Sequence, residues 1–76
     1  MKIQFKSEEA MEEFRVGLGI DPNIRDHNSK FVQKYGMSVI KITHAGEYWW
    51  DIIDSNGDLE YTIDVDCEGH LFDIIE

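Results

Sequence analysis

The sequence predicts an α+β domain: a helical part over about residues 7–35 packed on an antiparallel sheet over about residues 37–75. Three observations carry this reading. Apolar residues recur at helical spacing before Gly36, whereas after it the period is two. The second stretch is rich in β-branched and aromatic residues. Gly46, Asn56-Gly57 and Glu68-Gly69 punctuate it as turns, Asn-Gly being the strongest hairpin signal. With 76 residues, 42% of them hydrophobic, the chain forms one domain, 1–76, with a small core.

Lys2–Phe5 is a candidate strand with Ile3 and Phe5 on one face. Ser7 then resembles an N-cap, with Glu8 and Glu9 in the first turn, where acids favour the helix dipole. Ala10, Met11, Phe14 and Leu18 make one helical face, and Gly17 and Gly19 end the helix. Asp21-Pro22 signals a second start, a capping Asp before a Pro at the first helical position. Ile24, Phe31 and Tyr35 recur on one face with Asn28, and Gly36 stops that helix. Asp26-His27-Asn28-Ser29 are poor interior residues, so a start at Ser29 stands as the alternative to Pro22.

Four strands then follow as a meander: Met37–Thr43, Glu47–Asp54, Leu59–Asp66 and His70–Ile75, with Lys2–Phe5 as a candidate fifth. The alternation Leu59, Tyr61, Ile63, Val65 faces the core and leaves Glu60, Thr62, Asp64 and Asp66 outside. Tyr48, Trp50 and Ile52 face in, leaving Glu47, Trp49, Asp51 and Ile53 out. In the last strand, His70, Phe72 and Ile74 are set inward and Leu71, Asp73 and Ile75 outward.

Charge is unevenly placed along the chain. Residues 1–41 hold all seven Lys and Arg against six acids, a balance of +1; residues 42–76 hold ten acids and no Lys or Arg, a balance of −10. Such a half repels nucleic acid and anionic membranes and attracts basic protein surfaces. The expected docking face comprises Glu47, Asp51, Glu60, Asp64, Asp66 and Asp73, with Trp49 as an aromatic anchor among them. Carboxylates two apart on a strand lie ~6.8 Å from each other. No stretch of ~18 apolar residues is present, and MKIQFKSEEAMEEF lacks the apolar core of a secretion signal. A lone Cys67 suits a reducing compartment, so the expected location is the cytoplasm.

Chemistry-bearing motifs are few. Asp64, Asp66, Glu68, Gly69 and Leu71 fit positions 1, 3, 5, 6 and 8 of a calcium loop, but position 12 is Ile75 and the flanks read as strands. A hairpin turned by Cys67-Glu68-Gly69 is the expectation, with weak divalent-cation binding at Asp64-Asp66-Glu68 as an alternative role. His27, His44 and His70 have no metal-ligand spacing, and acids around Cys67 oppose its thiolate. The expectation is a protein that is not an enzyme and has no cofactor, metal site or catalytic residue. Two resemblances bear on it. The stretch Tyr48–Leu71, with D-S-N-G-D-L-E-Y-T-I-D-V-D-C-E-G-H-L, resembles the repeated hairpins of PepSY domains, which usually follow a signal peptide. In size and charge the chain resembles small acidic phage-encoded inhibitors, including DNA mimics and anti-CRISPR proteins. That resemblance implies a partner that handles nucleic acid and offers a basic groove, with no direct nucleic-acid contact. A homodimer that buries Trp49 or pairs an edge strand is the structural alternative.

Overall fold

In the computed structural model, residues 1–17 and 22–76 are described, without the side chains of Pro22 and Ile24. The expected roles of Leu18, Gly19 and Asp21 lie outside them, as does that of the Ile24 side chain. The fold is α+β, with strands β1 (Lys2–Phe5), β2 (Ile40–Lys41), β3 (His44–Ala45), β4 (Trp49–Ile53), β5 (Leu59–Asp64) and β6 (Phe72–Ile74). The helices are α1 (Glu8–Val16), α2 (Pro22–Tyr35) and a short α3 (Val65–Glu68), which runs into a 3-10 turn, Gly69–Leu71.

Local signals act as their chemistry dictates in the helices. The Ser7 hydroxyl accepts from the Ala10 N–H at 3.0 Å, capping α1. Gly17, with φ +75°, closes it by donating to the Glu13 carbonyl. Helix α2 begins at Pro22 rather than at Ser29. The fixed φ of proline suits a first helical position, and packing of Asn28 and Phe31 outweighs the weak propensity of residues 26–29. Gly36, at φ +52°, ends α2 with its N–H on the Val32 carbonyl.

The sheet differs from the expected four-stranded meander. Two antiparallel three-stranded sheets form instead, ordered β2-β1-β6 and β3-β4-β5. The expected strand Met37–Thr43 divides between them. Ile42 donates to the Met1 carbonyl in the first sheet, and the next residue, Thr43, donates to Asp51 in the second. The final strand leaves the meander altogether. The hairpin expected at Cys67-Glu68-Gly69 is helical, because the Asp64 carboxylate caps α3 by accepting from the N–H groups of Asp66 and Cys67. Those helical residues carry the chain away from β5, so β6 pairs with β1, setting Phe72 opposite Phe5 and Ile74 opposite Ile3. The helical interlude also breaks the alternation, so Leu71 and Phe72 are both buried while His70 and Ile74 are exposed.

The core lies where both sheets meet α1 and α2. Ile3, Phe5, Phe14, Phe31, Ile40, Ile42, Trp50, Ile52, Ile63, Leu71 and Phe72 form one buried cluster. Phe5 stacks on Phe72 at 4.4 Å between centroids, and Phe14 and Phe31 close around them at tilted or edge-on angles. Such offset and edge-on arrangements suit the ring quadrupole. Asn28 is the buried polar side chain among the described residues, and it ties α2 to α1 by donating to the Phe14 carbonyl at 2.9 Å.

Candidate docking face

The face on which an acidic site can be built is the outer side of the β3-β4-β5 sheet. Trp50, Ile52 and Ile63 are buried on its inner side, so alternation sets Trp49, Asp51 and Ile53 outward. Register places Asp64 directly opposite Trp49, and Thr62 and His44 on either side of Asp51. Val65 donates to the Tyr48 carbonyl, which makes Trp49 and Asp64 a non-hydrogen-bonded pair with Cα atoms about 4.5 Å apart. Trp49 is 54% exposed, and Tyr48, which pattern set inward, lies in the β3–β4 turn and is exposed to the same extent.

A bulge explains why alternation fails at Leu59 and Glu60. Ile52 faces Tyr61, but Ile53 faces Leu59, which leaves Glu60 as the extra residue in β5. Leu59 therefore joins Ile53 on the outer face, 60% exposed, instead of entering the core. Glu60 turns from the expected face toward α2 and forms an ion pair with Lys34. That bond raises the Lys34 pKa, and burial beside it raises that of the Tyr35 hydroxyl.

The other expected site residues divide. Asp73 belongs to the other sheet, opposite Gln4, and pairs with Lys6 at 3.4 Å. Glu47 sits in the two-residue turn closed by the Gly46 N–H on the Trp49 carbonyl, and Asp66 is exposed on α3. The face thus gathers Trp49, Asp51 and Asp64, with Glu47 and Asp66 on the turn and the helix that adjoin them. Glu60 and Asp73 are spent on ion pairs with the basic N-terminal half, as is Glu76 with Lys2. Among the described residues no ion pair engages the remaining seven acids of residues 42–76: Glu47, Asp51, Asp54, Asp58, Asp64, Asp66 and Glu68.

Two carboxylates on the face are held in place. Asp51 accepts from the Thr62 hydroxyl at 3.0 Å, and Asp64 accepts from the first turn of α3. Glu68 completes the clasp by accepting from the Asp64 N–H at 3.0 Å. That N–H points away from β4 and would otherwise be open on the sheet edge, so Glu68 also blocks strand pairing there. The sequence pattern sets Glu68 in a turn and so misses this role, because the glutamate lies four residues after the capping Asp64, one further than in a capping box.

The electrostatics of the clasp have a sign. Burial pushes the Glu68 pKa up and the Asp64 charge adds to this, while the Asp64 N–H and His27 pull it down. A folded-state value above the unfolded one contributes stability that is fully present below the unfolded pKa and lost as pH rises through the folded pKa. At neutral pH the ionised Glu68 therefore opposes folding. Glu68→Gln keeps an oxygen for the Asp64 N–H, so its melting temperature at pH 7 is expected to exceed that of the wild type. The gain should vanish as pH falls below the ordinary glutamate range, and a lower melting temperature at pH 7 would refute this account. The same acids, Asp64 foremost, push the Cys67 thiol up and disfavour its reactive thiolate.

Among the described residues no group of three or more His, Cys, Asp or Glu side chains is arranged to hold a metal ion. None of their helices is long and apolar enough to cross a membrane. No protein-family model, curated protein or solved structure matches this chain.

Proposed function

We propose that the protein is a non-enzymatic acidic binding protein that docks the outer face of the β3-β4-β5 sheet onto a basic surface of another protein. The observation that carries this reading is the half-exposed Trp49, set opposite Asp64 and next to Asp51 on a chain half with no Lys or Arg. An indole supplies buried area at an interface, and unpaired carboxylates supply attraction that acts before contact. A basic groove built for nucleic acid is the surface such a face complements, and occupation of that groove would inhibit its owner. The mimicry is local: the bulge and the second sheet remove Glu60 and Asp73 from the row, so the face is a patch rather than a phosphate ladder.

The test combines capture with salt dependence. Asp51→Asn, Asp64→Asn and Asp66→Asn together remove three charges while an asparagine can still cap α3. Basic proteins retained from a cell lysate by the wild type should be lost by the triple variant. Association with a retained protein should slow by about tenfold or more between low and high salt. An unchanged set of retained proteins, or rates indifferent to salt, would reject the proposal.

A further inference from the structure

Resting on that docking function, we infer that the face receives an extended, arginine-bearing segment of the partner protein, with one guanidinium stacked on the Trp49 indole between Asp51 and Asp64. The surface is an uncovered sheet face: Trp49 and Leu59 are 54% and 60% exposed, and Thr62 and His44 are exposed between and beside them. Its charge calls for a cation from outside. His44, opposite Asp51, is the titratable base on the face, and residues 42–76 supply no Lys or Arg.

Arginine fits this arrangement better than lysine for three reasons. A planar guanidinium stacks on an indole, its fork meets carboxylates on both sides, and it sheds water more readily than an ammonium. Both carboxylates are already oriented, Asp51 by Thr62 and Asp64 by the α3 N–H groups, so their ordering costs little on binding. The face then continues from Trp49 along β4 to Ile53 and Leu59. In an extended segment, side chains four residues apart stand about 13.6 Å from each other, the span from Trp49 to Ile53, so a side chain at that spacing can lie on the apolar end. A nucleic acid is a poor occupant because its phosphates face the unpaired acids.

Two blocked peptides, Gly-Arg-Gly-Arg-Gly and Gly-Lys-Gly-Lys-Gly, test the assignment by NMR titration of the full chain at low salt. The arginine peptide should bind about threefold more tightly, the effect of a solvent-exposed cation–π contact. It should move the indole N–H signal of Trp49 and leave that of the buried Trp50 in place. Trp49→Leu should erase the preference for arginine, and Asp51→Asn with Asp64→Asn should weaken both peptides. Equal binding of the two peptides, or an unmoved Trp49 signal, overturns the guanidinium site and leaves charge-driven docking standing. Binding of neither peptide overturns both readings.

Discussion

Phe31→Ala is expected to destabilise the protein by about 3–5 kcal/mol, the usual cost of removing a buried aromatic ring together with the cavity it leaves. Phe31 is 1% exposed and lies against the rings of Phe5, Phe14, Tyr35, Tyr61 and Phe72. These come from β1, α1, α2, β5 and β6, so this one side chain joins both sheets to both long helices. Collapse into the cavity would require all of these elements to shift together, which places the cost toward the upper end. A domain of this size has roughly 4–11 kcal/mol of total stability at the usual 0.05–0.15 kcal/mol per residue. The substitution therefore removes a large share of it. Urea unfolding followed by far-ultraviolet circular dichroism should show the midpoint falling by about a quarter or more, with Phe31→Leu intermediate. A loss below about 1.5 kcal/mol would show that the core does not depend on this junction.

The helices were legible in the sequence because their signals are local. Ser7, Gly17, Pro22 and Gly36 act within one turn of themselves, and Ala10, Phe14, Asn28 and Phe31 reach the core as their spacing implies. The β4–β5 hairpin was legible for the same reason. Gly57 takes φ +86° in the expected turn, where the Asp54 carboxylate also accepts from the N–H groups of Asn56 and Asp58. What the pattern could not supply was partner choice. The pattern reads Met37–Thr43 and His70–Ile75 as strands but does not say which sheet they join. The answer depends on β1, the most distant strand in sequence, which takes the centre of one sheet.

The candidate face shows the same division. Trp49 and Asp51 were assignable because β4 alternates without interruption. Glu60 was not, because a single bulge reverses the side on which Leu59 and Glu60 lie. The pattern carries the strand on from Asp64 to Asp66, because alternate acids imitate a solvated edge, whereas β5 ends at Asp64 and Asp66 is helical. Yet an aspartate with free N–H groups two and three residues ahead can also start a helix, and here capping prevails over strand propagation. The fixed charge at Asp64 is thus a by-product of the device that ends β5. One residue sets both the edge of the sheet and the electrostatics of the face.

Asn28→Leu is the second substitution with a large expected effect, and its sign runs against hydrophobicity. Asn28 is 4% exposed, and its Nδ2 donates to the Phe14 carbonyl at 2.9 Å. That carbonyl lies in the last turn of α1, where carbonyls lack intrahelical partners and must find donors elsewhere. Leucine adds apolar surface to the core but leaves the carbonyl without this donor, a cost of about 1–3 kcal/mol. The expected result is a melting temperature lower by about 4–8 °C for each kcal/mol lost. Asn28→Ala should be destabilised as well, since it combines the lost bond with a small cavity. Should Asn28→Leu match the wild type while Asn28→Ala falls, the residue serves as packing volume and the α1–α2 hydrogen bond is dispensable. Similar losses in both variants would instead fix this bond as a link that holds α2 to α1.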